Sequence, residues 1–187
     1  IVASPDGVHA EQTIAAARAG KHVLVEKPMA TTLDDATAMV HACADARVTL
    51  ALAYHLRWHT GHRMVAKRVH AGELGDVRHM RVSWTYKSTN DSNWRANDEV
   101  ARWWGLAGVG THCLDLVRWF LTPVCGEVTD VTSLVARSVF AGPNDETALV
   151  MLRFASGATA EIVTSVLFES APRVEVYGSK AVSSRWS

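Results

Sequence analysis

Apolar runs and helical stripes alternate over the first 54 residues. The apolar runs are short and rich in β-branched residues, which is typical of strands covered on both faces in a parallel sheet. The pattern predicts a strand end at residues 1–3, helices at residues 9–19 and 33–46, and strands at residues 22–26 and 48–54. Thr32 is expected to cap the second helix. This order predicts a parallel sheet with right-handed crossovers, the second half of a doubly wound domain.

The pattern changes after residue 58. A helix is predicted at residues 60–71, a half-covered strand at 77–86, a polar loop at 87–98 and a helix capped by Thr111 at 112–121. Four strand-like runs follow, at residues 128–140, 147–155, 158–168 and 173–178. Successive strands with short turns predict a largely antiparallel sheet in an α+β domain. We therefore expect two domains, residues 1–54 and 55–187.

Two charged residues and a proline, Glu26, Lys27 and Pro28, follow the apolar run HVLV. They lie at the edge where open parallel sheets bind ligands, as do residues 4–7 and 54–57. A residue before proline is held extended, and a Lys-Pro bond can be cis, so Pro28 would set the direction of Lys27. We interpret Lys27 as a positioned ammonium group that donates a hydrogen bond or relays a proton. A solvated charge pair at a strand end is the alternative.

A histidine in the first turn of the later helix is a second candidate. An imidazole can exchange a proton with an alcohol or a carbonyl near neutral pH. Asp115 lies about one turn beyond His112, on the same face, and could orient its ring. A histidine that only caps the helix is the alternative.

Three further histidines, His55, His59 and His62, have helical spacings of four and three. Three imidazoles on one face could bind zinc in a hydrolase. Because the segment spans a predicted strand end and helix start, we instead expect His55 and Arg57 at the ligand edge and the other two at the surface.

An indole and a guanidinium stand next to each other in the polar loop, at Trp94 and Arg95. An indole face can stack on the C–H surface of a sugar, and a guanidinium can bind its oxygens. We expect this pair either to close over a polyol or to form an ordinary loop with a buried tryptophan.

Charge and cysteine content narrow the class of protein. Lys plus Arg and Asp plus Glu both number 19, which gives no net charge. Nucleic acid and anionic membranes are therefore poor candidates for partners, because both attract clustered positive charge. The cysteine count of 3 is low and odd, and no apolar run reaches the roughly 20 residues that span a bilayer. We expect a soluble, cytoplasmic protein.

The segment ASPDGVHAEQTIAAARAGKHVLVEKPMATTLDDA resembles the Gfo/Idh/MocA family of NAD(P)-dependent oxidoreductases. The resemblance continues through AYHLRWH, GELGDVRHMRVSW, NWR, GTHCLDLVRWF and VEVYGS. It implies a Rossmann domain followed by a domain with an open, mostly antiparallel sheet that often forms an oligomer interface. It also implies NAD or NADP as cofactor and hydride transfer to or from a sugar or polyol.

The resemblance assigns roles to individual residues. Lys27 would contact the substrate and the nicotinamide ribose and take part in proton transfer, and His112 would bind the reacting hydroxyl or carbonyl. The expected cofactor contacts are Ser4, Pro5, His9, Glu26 and Lys27. The expected substrate contacts are Tyr54, His55, Arg57 and Arg95.

The sequence departs from the family pattern in two places. The glycine-rich phosphate-binding turn is not among these residues, so we expect a chain truncated at its N-terminus that binds the cofactor weakly. Gly108 stands where many members have an aspartate four residues before the helix histidine. A non-catalytic binding or oligomerisation module is therefore the alternative function. From about residue 181 we expect an out-of-register or vector-derived tail in place of further strands, and so a chain truncated at its C-terminus as well.

Overall fold

The computed structural model describes residues 1–96 and 101–186. Residues 97 and 98, which end the predicted polar loop, lie outside this description. The helices are α1 (His9–Arg18), α2 (Leu33–Asp45), α3 (Thr60–His70) and α4 (Thr111–Cys125). The strands are β1 (Val23–Val25), β2 (Leu50–Leu52), β3 (Val77–Thr85), β4 (Val128–Ala136), β5 (Thr147–Phe154), β6 (Thr159–Ser165), β7 (Arg173–Gly178) and β8 (Val182–Trp186).

The first part of the chain forms a small parallel sheet. Strand β1 pairs with β2 in parallel, and Val2 forms a parallel bridge to Val25 on the other side. The buried core of this part consists of Val2, Val23, Val25 and Met39. Thr32 caps α2, since its Oγ1 accepts the N–H of Asp35 at 3.1 Å. The predicted parallel sheet is thus confirmed, and its strands end together at one edge.

The second sheet has six strands in the order β4-β5-β6-β3-β7-β8. The β3–β6 pair is parallel and the other neighbouring pairs are antiparallel, which confirms a mostly antiparallel sheet. Helices α3 and α4 cover one face. The side chains that join them to the sheet include Val65, Leu116, Val117, Phe120, Met80, Val82, Leu152, Ile162 and Val176.

Helix α4 is longer than predicted and has a different beginning. A π-helical turn, Leu106–Gly110, leads directly into it, and the Thr111 hydroxyl does not cap the helix but donates to the Ala107 carbonyl at 3.4 Å. The helix also continues through Pro123, which has no N–H for the carbonyl of Trp119. His70 Nε2 lies 3.1 Å from that carbonyl oxygen and satisfies it from outside the helix.

The expectation that no further strand follows residue 180 was wrong. Residues Val182–Trp186 form β8, which pairs antiparallel with β7. The polar composition of this segment is that of an edge strand, whose main chain is held by hydrogen bonds to its neighbour.

The three cysteines, Cys43, Cys113 and Cys125, are buried free thiols. Within residues 1–96 and 101–186, no helix combines the length and apolar character needed to cross a membrane.

Candidate active site

A buried histidine holds the first strand-end turn against the Glu-Lys-Pro segment. His9 has no exposed surface. Its Nδ1 lies 2.8 Å from the Pro28 carbonyl oxygen and its Nε2 lies 2.9 Å from that of Ser4. Both ring nitrogens are therefore occupied by the main chain. The ring, which the resemblance assigned to cofactor contact, is an internal tie here and presents no surface to a ligand.

The other expected cofactor contacts lie where the first sheet ends. The Ser4 hydroxyl donates to Gln12 Oε1 at 2.8 Å, and Pro5 precedes a 3₁₀ turn, Asp6–Val8. Glu26 follows β1, and its Oε2 accepts the N–H of Lys27 at 3.2 Å. Ser4 and Glu26 are partly exposed and Pro5 is exposed, so all three are accessible at the ligand edge.

Lys27 reaches from the first sheet to the π turn before α4. Its Nζ donates to the Gly108 carbonyl at 2.8 Å and to that of Ala107 at 3.3 Å. The Lys27–Pro28 peptide bond is cis. Burial lowers the pKa of Lys27, and the charge of Arg95 lowers it further, while Asp6 and Glu26 oppose the shift. The ammonium group is thus fixed in place and easier to deprotonate than an ordinary lysine.

His112 lies in the first turn of α4, in an aromatic pocket. Trp84 stacks on its ring at 5.5 Å, and the rings of His55 and Tyr54 meet it edge-on at 4.6 and 6.1 Å. Its Nδ1 is buried without a hydrogen-bond partner. Burial, together with the charges of Lys27 and His55, lowers the pKa of His112 to about 3. The imidazole is therefore neutral at pH 7, with an unused buried polar atom.

Asp115 does not orient His112, so this prediction was wrong. Its carboxylate accepts the Nε–H of Arg57 at 2.9 Å and the Nη2–H at 2.6 Å. Arg57 belongs to a 3₁₀ turn, His55–Trp58, that follows β2. Asp115 faces this turn, so its carboxylate binds the guanidinium of Arg57 and not the ring of His112. The pair ties the turn to α4 and leaves the Arg57 side chain 48% exposed.

A second ion pair joins the polar loop to the first turn. Arg95 donates to the two carboxylate oxygens of Asp6 at 3.0 and 3.2 Å, and Trp94 lies 4.1 Å from its guanidinium. Burial raises the pKa of Asp6, and Arg95 opposes that effect. Asp6 was not among the predicted site residues. Its signal in the sequence is a carboxylate in a turn at the ligand edge.

The three histidines of the zinc alternative separate in space. His55 packs against His112, whereas His59 packs against His62 at 4.6 Å. In the described part of the chain, no group of three or more His, Cys, Asp or Glu side chains is arranged to hold a metal. The geometry thus gives no support to a metal-dependent hydrolase.

A run of buried polar residues before β5 supports the site and was missed in the sequence. Asp145 is 2% exposed and accepts the N–H groups of Trp104 and Leu106, both at 2.7 Å. These bonds fix the start of the π turn whose carbonyls receive Lys27. Its neighbour Glu146 instead accepts N–H groups from residues 138–140. The sequence signal for this support is the run of three polar residues, 144–146, directly before a predicted strand.

Comparison with known families agrees with this geometry. The profile of the "Oxidoreductase family, NAD-binding Rossmann fold" matches residues 1–54, and that of the "GFO/IDH/MocA C-terminal domain" matches residues 62–183. The chain therefore belongs to the GFO/IDH/MocA family of oxidoreductases.

Its relatives include sugar and polyol enzymes. It is 34% identical over 165 residues to the 1,5-anhydro-D-fructose reductase of Ensifer adhaerens, covering 86% of this chain and 48% of the relative. It is 26% identical over 188 residues to the levoglucosan dehydrogenase of Pseudarthrobacter phenanthrenivorans, covering 86% and 47%. The WlbA dehydrogenase of Bordetella pertussis, solved with NADH and UDP-GlcNAcA, superposes with a TM-score of 0.91 at 26% identity, covering 100% and 54%. The chain thus spans about half the length of the relatives it matches.

We expect His112 to stay neutral far below the usual histidine range. Its Cε1–H resonance in NMR should titrate at about pH 3. Between roughly pH 6.5 and 3 the unfolded state binds the extra proton and the folded state does not, so stability falls as the pH is lowered through this window. His112→Gln, which has no such proton, should flatten that fall in denaturant unfolding. A resonance titrating near pH 6.5 would contradict the buried, cation-flanked ring.

Asp145→Asn should loosen the segment that receives Lys27. An amide offers one acceptor oxygen where two N–H groups need one each, so we expect the free energy of unfolding to fall by about 1–3 kcal/mol. Lys27 then becomes better hydrated, and its pKa, followed by NMR of ¹³C-dimethylated lysines, should rise toward the ordinary value. Glu146→Gln is the matched control, because it breaks bonds to residues 138–140 and should leave the Lys27 titration unchanged. An equal response of Lys27 to both variants would exclude a local role of Asp145.

Proposed function

We propose that this chain belongs to an NAD(P)-dependent oxidoreductase that acts on a sugar or polyol, and that it contains the active site between the cofactor part and the substrate part. The observation that carries the proposal is the placement of Lys27. Its Nζ is bonded to the Gly108 carbonyl, four residues before His112 in a continuous helical segment. An ammonium group and a neutral imidazole thereby meet at the edge where a parallel sheet binds its ligands. Residues 1–54 would form the cofactor part and residues 55–187 the substrate part.

The two groups divide the proton chemistry. The bound nicotinamide would supply or accept the hydride, and the protein handles the proton. Protonation of His112 is strongly disfavoured by burial and by the charge of Lys27. His112 therefore orients the reacting hydroxyl or carbonyl oxygen by a hydrogen bond, and Lys27 exchanges the proton. A lysine with a lowered pKa suits this role, because its neutral form is more accessible than that of an ordinary lysine.

The substrate class follows from the surroundings of His112 and from the relatives. Tyr54 and His55 contact its ring, and the half-exposed guanidinium of Arg57 lies beside them. These groups offer hydrogen bonds to several hydroxyls at once. Arg95 would contact a substrate while it remains paired with Asp6. Ser4, Pro5 and Glu26 at the strand ends would contact the cofactor.

Removal of the Lys27 amine should abolish turnover while leaving the fold intact. Lys27→Met keeps the side-chain length, and we expect kcat to fall by about 100-fold or more. The measurement is reduction of millimolar NAD or NADP at 340 nm with myo-inositol and levoglucosan as substrates. Lys21→Met, in the loop after α1, is the control and should keep its rate. A Lys27→Met variant as fast as the native chain would refute the proton role. Failure of the native chain to turn over either substrate at a cofactor concentration shown to saturate it would support the non-catalytic alternative.

We also propose that the uncovered face of the six-stranded sheet joins copies of this chain. Leu134, Leu149 and Met151 lie on this face and are 58, 40 and 55% exposed. Large apolar side chains gathered on one face of a sheet are typical of a protein interface. An ion pair between Arg81 and Glu161 continues the face beside them.

A charge on the open face should dissociate the assembly. Leu134→Arg places a cation among the exposed apolar side chains, so we expect the mass measured by sedimentation velocity to fall to that of a monomer. Val131→Arg is the matched control, because Val131 lies on the same strand, is 64% exposed and pairs with Leu152 on the helix-covered face. Equal masses for the native chain and the Leu134→Arg variant would show that the face is not an interface.

A further inference from the structure

Strand β3 carries two aromatic residues toward α4. Trp84 and Tyr86 are two positions apart and so point to the same side of the sheet, about 7 Å from each other along the strand. The strand geometry extends past its last residue, since the N–H of Tyr86 donates to the Ser165 carbonyl at 3.0 Å. Trp84 stacks on His112. Tyr86 therefore points toward the helical segment on the same side of the sheet, about 7 Å further along the strand than Trp84.

The helix offers a matching position. Gly108 and His112 are four residues apart, which is about 6 Å along a helix. A Cβ added to Gly108 would lie 3.6 Å from the Tyr86 hydroxyl oxygen. The strand and the helix thus approach each other at two positions, where Trp84 contacts His112 and Tyr86 lies beside Gly108. The phenol would be in van der Waals contact with the first atom of a side chain at position 108.

The surroundings of Tyr86 suit a hydrogen-bonding role. The carbonyl of Gly108 holds Lys27 Nζ at 2.8 Å, so the phenol lies beside the anchor of the ammonium group. Tyr86 is partly exposed. Burial raises its pKa, against the effects of the Trp104 indole and the Arg95 charge. The phenol keeps its proton at neutral pH, and it can both donate to a substrate oxygen and accept from a hydroxyl.

We propose that Tyr86 is a substrate-contacting residue, whose hydroxyl binds a sugar or polyol oxygen in the space that Gly108 leaves open beside Lys27. The inference rests on the proposed function, because it needs a hydroxylated ligand between Lys27 and His112. It adds a contact from β3 to the groups that α4 and the first sheet provide. It also gives the glycine at position 108 a purpose, since a larger side chain there would contact the phenol.

Fluorine NMR can test this directly, because the chain has 3 tyrosines. With 3-fluorotyrosine incorporated, each signal is assigned from its Tyr→Phe variant. Titration with myo-inositol or levoglucosan, at millimolar NADH, should shift the Tyr86 and Tyr54 signals saturably with one dissociation constant. Tyr177 is the internal control, because its hydroxyl donates to Glu175 at 3.0 Å on another strand and its signal should not move.

The variant Tyr86→Phe keeps the ring that packs near Trp104 and removes only the hydroxyl. We expect the dissociation constant read from Tyr54 to rise about tenfold or more. Tyr177→Phe also removes one hydroxyl and should leave the constant unchanged. Adding Gly108→Asp to Tyr86→Phe should recover part of the affinity, because a carboxylate then reaches the space that the hydroxyl left.

The outcomes separate the two proposals. A shift of Tyr54 without a shift of Tyr86, or undiminished binding by Tyr86→Phe, overturns the role of Tyr86 and leaves the polyol site standing. No shift of either signal overturns the polyol site and the role of Tyr86 together. If Tyr86→Phe fails to fold, the titration of the native chain alone decides.

Discussion

The contact between the Lys27 ammonium and two main-chain carbonyls is the constraint on which the candidate site depends. It forms only if the end of β1 and the π turn before α4 lie within a few ångströms of each other. A partly buried ammonium loses hydration, which the carbonyl dipoles and the nearby carboxylates of Asp6 and Glu26 offset. The same contact places the amine one helical turn from His112. One interaction therefore joins the two sheets and brings the Lys27 amine close to the helix turn that carries His112.

Two ion pairs hold the junction on either side of this contact. Arg95 binds Asp6 and Arg57 binds Asp115, and in each pair the carboxylate is almost fully buried while the guanidinium is partly exposed. A buried carboxylate without its partner would be costly, so each pair favours one relative placement of its two elements. The cations have a further effect. Lys27 and His55 disfavour protonation of His112, and Arg95 disfavours protonation of Lys27.

The parallel sheet, the mostly antiparallel sheet and the positions of Lys27 and His112 could be predicted from local pattern. Residues 22–26 have the pattern of a buried strand that ends in charged residues. Ligands of open parallel sheets bind at the carboxyl ends of the strands, so this pattern alone places Lys27 at the ligand edge. The partners of the charged residues could not be predicted. Asp115 lies at helical spacing from His112, yet a guanidinium 58 positions earlier in the chain takes its carboxylate. The extension of α4 through Pro123 likewise depends on His70, a residue of another helix.

The sequence by itself determined which chemistry is available and near which strand or helix end it lies, because strand and helix periods and turn residues are local properties. Only the tertiary structure decided how these groups are used. It placed His9 inside the protein as a tie between two carbonyls and gave Asp145 the task of fixing the π turn. It also brought Tyr86 against Gly108. Contacts of this kind join residues far apart in the chain, and burial and competition among many partners select them, which no local pattern records.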